Sequence, residues 1–144
     1  MPSVYPIHDM HVFQLQRSEG RLPLLRENDH LLRRFGQLEL MDLAAGKQTE
    51  FALRAEADRF LFVTSGRARI QLIDLRAGSP SHGVHTSLLL DEAKPRGLLV
   101  PFGVACAIYA EVAARLIVLS THSEVHPEDR AATPDELQKY AAIQ

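Results

Sequence analysis

The sequence contains no tryptophan and a single cysteine, Cys106, and aromatic residues fill only 6% of its 144 positions. One thiol rules out a disulfide framework within the chain and fits a reducing compartment. Scarce aromatics argue against the stacking platforms that hold single-stranded nucleic acids. A basic excess is missing as well. Lys and Arg number 16 against 18 Asp and Glu, for a formal net charge of −2, whereas a nucleic-acid-binding face brings a cationic surplus. No apolar run reaches the length of a bilayer span. The opening Met-Pro-Ser-Val-Tyr-Pro-Ile-His lacks the basic head and unbroken apolar core of a secretory signal. These absences point to a cytoplasmic protein with no membrane and no nucleic-acid partner.

What is present is a globular composition, 46% hydrophobic and 24% charged, on a chain of one-domain length. Short apolar or alternating runs recur between turn signals, the pattern of an all-β sandwich or barrel. Strands are expected at Leu38–Leu43, Thr49–Leu53, Phe60–Val63, Ala68–Leu75, Val84–Leu90, Gly97–Val100, Ala105–Tyr109 and Ala114–Ser120. Thr64–Arg67 reads as a hairpin turn, and Ala77–Gly83 as a breaker-rich loop. Upstream, residues 1–13 read as an extended arm, Ser18–Arg21 as a turn, the stretch around Pro23 as an edge strand and His30–Phe35 as a loop or a short turn. Thr133-Pro-Asp-Glu136 carries a capping box with Pro at the first helical position, so a helix is expected from Pro134 to Ala142. The organisation is one domain over 1–144: arm and edge strand at 1–36, barrel at 37–125, helix at 133–142.

Two stretches keep the spacing of a known barrel motif. Gly46 to Gly66, and Gly97-Leu-Leu-Val-Pro101-Phe-Gly103-Val-Ala-Cys106, resemble the two motifs of the cupin superfamily. At the ligand positions of those motifs stand Ala52, Arg54, Asp58 and Cys106. Gly20-Arg-Leu22, Leu119-Ser-Thr-His-Ser-Glu124 and Pro127-Glu-Asp129 resemble segments of the nucleotide-sugar 3,4-ketoisomerases. Asp74-Leu-Arg-Ala-Gly-Ser-Pro-Ser-His-Gly83 and Val100-Pro-Phe-Gly-Val-Ala105 are similar to segments of the dTDP-4-dehydrorhamnose 3,5-epimerases. The matches span roughly residues 18 to 130 in family order. The resemblance implies a cupin-type double-stranded β-helix, a jelly-roll barrel with an N-terminal arm and a short C-terminal helix. It also implies metal-free chemistry without a cofactor, a small-molecule ligand of the nucleotide-sugar class, and a homodimer whose arm pairs with a second subunit.

The catalytic residues of those families are not matched. Where they carry His in an Arg-Gly-x-His stretch, this chain has Ala52. Where the epimerases carry His after Phe-Ala, it has Cys106. Their acid tyrosine falls near Ser123 or Glu124. No catalytic residue is therefore assigned, and the expected activity is an epimerase- or ketoisomerase-like one, altered or lost. The alternative is a non-catalytic cupin that binds a small anionic or sugar ligand, or serves as a partner subunit.

The candidate ligand-binding residues are Arg54, Asp58, Cys106 and Tyr109. A buried charge needs a partner, so Arg54 either pairs with Asp58 across the old metal position or grips a ligand carboxylate or phosphate. Cys106 is either an inert small hydrophobe or, beside a cation such as Arg54, an activated thiol. Tyr109 is a wall or a surface residue. No metal is expected, because one carboxylate and one thiol with an arginine between are a poor donor set. The seven histidines, including the pairs His8/His11, His82/His85 and His122/His126, read as solvated surface groups. The Asp74–Gly83 segment reads as a structural connection from which Arg76 can reach a neighbouring subunit.

Overall fold

Two long strands organise the molecule. The computed structural model describes residues 5–26 and 32–141. Its elements are β1 (His11–Gln14), β2 (Gln37–Leu43), β3 (Ala52–Leu53), β4 (Arg59–Asp74), β5 (His85–Asp91), β6 (Arg96–Val100), β7 (Val104–Ser120), β8 (Arg130–Ala131) and α1 (Pro134–Tyr140). β4 and β7 pair antiparallel from Arg59 opposite Ser120 to Asp74 opposite Val104. The first half of β4 and the second half of β7 belong to one sheet, in the order β1-β6-β4-β7-β2. The other halves belong to a second sheet, in the order β5-β4-β7-β3-β8. Every pairing is antiparallel, which gives the double-sheet jelly roll.

Side-chain alternation fills the space between the sheets. Leu61, Val63, Ile70 and Leu72 of β4 meet Ile108, Leu116 and Val118 of β7 in one buried cluster. Phe60 and Phe62 point to the outer face and are also buried. Phe60 lies over Gly97, where a Cβ would stand 2.3 Å from the ring.

Two expectations fail at the same place. Thr64–Arg67 is not a hairpin turn, and Ala105–Tyr109 and Ala114–Ser120 are not separate strands. β4 and β7 run on through this region with register shifts between Val63 and Ala68. Gly66 has φ +84°, and a Cβ there would lie 2.0 Å from the Ala113 carbonyl oxygen. A positive-φ glycine serves a β-bulge as well as a turn; here it bends the strand from one sheet into the other.

The segment around Pro23 forms no strand. The Ser18–Arg21 turn is present, with reciprocal backbone hydrogen bonds of 2.8 and 2.9 Å. Within His30–Phe35, His30 and Leu31 lie outside the described residues, as does Ala142 at the expected end of the helix. The capping box forms as expected: Thr133 Oγ1 accepts from the Glu136 amide, and the Glu136 carboxylate accepts from the Thr133 amide. Leu137 and Tyr140 of α1 pack on Leu53, Ile73 and Ala105.

Within this chain the arm joins the barrel. β1 pairs with β6, and Ile7 and Met10 enter the core. Asp74 fastens it. This carboxylate is fully buried and accepts from the Arg76 amide and Nε at 3.0 Å each, and from Ser79 Oγ and Ser81 Oγ at 2.6 Å each. Ser81 Oγ in turn accepts from the His8 amide, and Arg76 Nη2 donates to the His8 carbonyl. Burial pushes the Asp74 carboxyl up, but the Arg76, Ser79 and Ser81 hydrogen bonds outweigh it and hold the group well below the usual carboxylate range. Arg76 therefore turns inward to the arm.

Candidate ligand cavity inside the barrel

β2, β3, β4 and β7 border a partly open cavity of about 200 Å³, lined by Glu39, Met41, Thr49, Ala52, Arg54, Arg59, Leu61, Cys106, Ile108, Val118 and Ser120. Period-two alternation places most of these residues. Arg59, Leu61 and Val63 share the inner face of β4, while Cys106 and Ile108 share that of β7. Ala52 stands opposite Cys106 in the β3–β7 ladder, so the position that resembles a catalytic histidine is a methyl group facing a thiol-bearing strand.

Of the four residues singled out from sequence, Arg54 and Cys106 line this cavity, whereas Asp58 and Tyr109 do not. The Arg54–Asp58 ion pair does not form. Arg54 Nε binds Asp129 Oδ2 at 2.9 Å, and its Nη2 donates to the carbonyls of His122 and Glu124. Asp129 also accepts from the amides of Ala55 and His126. Burial raises its carboxyl, but these amides and Arg54 bring it below the ordinary range. Arg54 is thus spent in pinning the C-terminal segment to the barrel mouth. Asp58 braces the same end, accepting from the Phe102 amide at 2.9 Å and from Arg33 Nε at 3.3 Å. Tyr109 lies across the pleat from Ile108 and bridges Gln48.

The sequence reading missed Arg59. Its Nη2 donates to the carbonyls of Ala52 and Val104 at 3.1 and 3.0 Å. Its Nε is buried without a hydrogen-bond partner, and no carboxylate among the described residues pairs with it. Burial lowers its pKa, with Cys106 opposing that shift. Burial likewise pushes the Cys106 thiol up, with the Arg59 charge pulling the other way. The available signal was the alternation of Arg59 with Leu61, hidden when the strand is started at Phe60.

A second groove, of about 460 Å³, is lined by Arg34, Glu56, His122 to His126 and Pro127. Arg54 connects the two, lining the cavity while bonding the backbone of the groove. His122 is mostly buried, 2.8 Å from Thr121 Oγ1 through Nδ1 and 3.3 Å from Glu56 through Nε2. His85 is half-buried against Gln71, and burial lowers its pKa. These two histidines are therefore not the solvated groups expected, and His30 lies outside the described residues. Among the described residues, no three His, Cys, Asp or Glu side chains cluster as a metal site. No helix of the described chain is long and apolar enough to cross a membrane.

The fold is a cupin-type barrel, the architecture also found in a dTDP sugar isomerase and a dTDP-sugar epimerase. A dTDP sugar isomerase from Desulfovibrio desulfuricans superposes with a TM-score of 0.82 over 93% of this chain and 90% of that one, at 19% identity. The dTDP-6-deoxy-D-glucose-3,5-epimerase RmlC of Legionella pneumophila, solved in complex with dTDP-4-keto-L-rhamnose, gives a TM-score of 0.78. It covers 91% of this chain and 77% of that one, at 18% identity. In sequence, the chain is 33% identical over 82 residues to the spore coat polysaccharide biosynthesis protein SpsL of Bacillus subtilis. That match takes in 57% of this chain and 54% of the relative, so the chain spans about half of that protein's length. No protein-family profile matches the chain.

Proposed function

We propose that this chain is a sugar-nucleotide-binding cupin of the epimerase/ketoisomerase type, acting in deoxysugar or surface-polysaccharide metabolism with its proton-transfer chemistry altered or lost. The observation that carries this reading is the cavity itself. It leaves a space at the barrel interior with the Arg59 guanidinium on its wall, while Ala52 and Cys106 stand at the positions that resemble the relatives' histidines. A general base must come within hydrogen-bond reach of the proton it removes, and no histidine lines this space. The relatives supply the ligand class: the Legionella epimerase holds a dTDP-keto sugar, and SpsL is a polysaccharide biosynthesis protein.

The test is incubation with a dTDP-4-keto-6-deoxy sugar in deuterated water, with binding followed by calorimetry and exchange by NMR. Binding without deuterium uptake next to the keto group is expected. Uptake at the rate of an active epimerase overturns the loss of chemistry, and absence of binding overturns the ligand class.

A homodimer is part of the same reading, with the compartment taken as cytoplasmic. Leu38 and Leu40 of β2 are 57% and 64% exposed. They continue an apolar row through Leu119 and Ile117 to Phe60 and Phe62 on the outer face of the first sheet. Among the described residues β2 pairs only with β7 and leaves its other edge unpaired, so a second copy can add there isologously. Leu40→Glu should halve the mass measured by light scattering. An unchanged mass removes this face from the interface.

A further inference from the structure

One cation of the cavity has no ion-pair partner among the described residues. Three charged groups line it: Glu39, Arg54 and Arg59. Glu39 is exposed on β2 and makes no ion pair among the described residues. Arg54 is neutralised by Asp129. Among the described residues, Arg59 meets two backbone carbonyls, both on one nitrogen, and its buried Nε meets no acceptor. Arg96 also carries an unpartnered Nε, but it does not line this cavity. A half-buried guanidinium with unspent donors is costly until an acceptor arrives. Its planar fork suits a carboxylate best. The space, about 200 Å³, has the scale of one sugar ring and lies below the usual range for a whole drug-sized ligand.

We propose that Arg59 makes this cavity selective for a sugar ring that bears a carboxylate, a uronic-acid type of ligand, with the carboxylate seated on the guanidinium. The inference rests on the sugar-nucleotide reading for what lies outside the cavity, but its own content is the anion inside. Thr49, Ser120 and Glu39 supply polar contacts for ring hydroxyls. Leu61, Ile108 and Val118 form the apolar wall.

Cys106 provides a built-in reporter, since it is the chain's only cysteine and lines the same space. An anion seated on Arg59 removes the positive charge that favours the thiolate. It therefore slows alkylation and moves its pH midpoint upward.

The experiment compares UDP-glucuronate with UDP-glucose, and free glucuronate with glucose, on the full chain. It reads binding by calorimetry and the pH profile of Cys106 modification by a small thiol reagent. UDP-glucuronate is expected to bind about tenfold or more tightly than UDP-glucose, as a charge-assisted hydrogen bond implies. It should also raise the alkylation midpoint. Arg59→Gln should erase the preference and the upward shift, while Arg59→Lys keeps part of both. The wild-type comparison needs no variant to fold. Equal binding of the two nucleotide sugars overturns the carboxylate inference and leaves the sugar-nucleotide reading standing. Binding of free glucuronate with Cys106 protection, but of neither nucleotide sugar, upholds the inference and overturns that reading. No carboxylate effect on Cys106 overturns the inference.

Discussion

Asp74 and Arg59 are charges withdrawn from solvent at opposite ends of one strand, β4, and they are treated in opposite ways. Asp74 is met by two hydroxyls, a backbone amide and a guanidinium, every one within 3.1 Å. Arg59 is met, among the described residues, by two carbonyls and no carboxylate. Structural charges are over-coordinated because an unmet one destabilises the fold. A charge left partly unmet marks where an outside group belongs. Position on a shared strand thus says little about role, whereas the count of satisfied donors and acceptors says a great deal.

The largest test of this contrast is Asp74→Ala. It strands Arg76 and two hydroxyls and frees the arm, so chemical denaturation should show a loss of about 3–5 kcal/mol, as for breaking a buried pair. A loss no larger than a surface substitution gives would break the contrast from the Asp74 side. Acid provides the next largest effect. The carboxyls of Asp74, Asp129 and Glu136 all lie below their ordinary values in the folded state, Glu136 at about 2 through its hydrogen bond to Arg130. The unfolded chain therefore takes up protons first. The stability these groups give is present above about pH 4 and is lost as pH falls through the folded values. Urea midpoints measured from pH 5 down to pH 2 should fall, with a shallower slope in Asp74→Asn.

Removing the helix cap with Thr133→Ala should cost about 1 kcal/mol, read as a small shift in the thermal midpoint. It calibrates a fully satisfied but exposed polar cluster. Smallest of all is Arg59→Met, expected to change stability by less than about 1 kcal/mol in either direction, because apolar replacement of a buried charge is near neutral. A cost matching that of Asp74→Ala would make Arg59 structural and collapse the distinction.

Much of the architecture was legible in the residues. Alternation placed the cores of β2, β4, β6 and β7, and Thr133 to Glu136 announced the helix. The bend at Gly66 was not legible, because a positive-φ glycine between apolar runs has the same signature whether the chain reverses or bulges. At the site, inward placement of Arg54 and Cys106 followed from motif spacing. The partner of Arg54 did not, since Asp129 lies 75 residues away and only the folded chain brings it near. Arg59 was lost to a strand boundary set one residue late, the least certain part of any such reading.

The passage of β4 and β7 through both sheets has a consequence for how the protein comes apart. Neither sheet can open alone, because each holds half of the same two strands. The barrel has no seam along which a sub-global unit could detach. Amides at Leu61 and Ile70, though in different sheets, should exchange with solvent at one common rate set by global opening. On the way in, the pairing nearest in sequence, Asp74 with Val104, closes the smallest loop. The ladder can then zip from that end toward Arg59 and Ser120. Arg59 and Ser120, two of the residues that line the cavity, are therefore the last of the strand pair to come together.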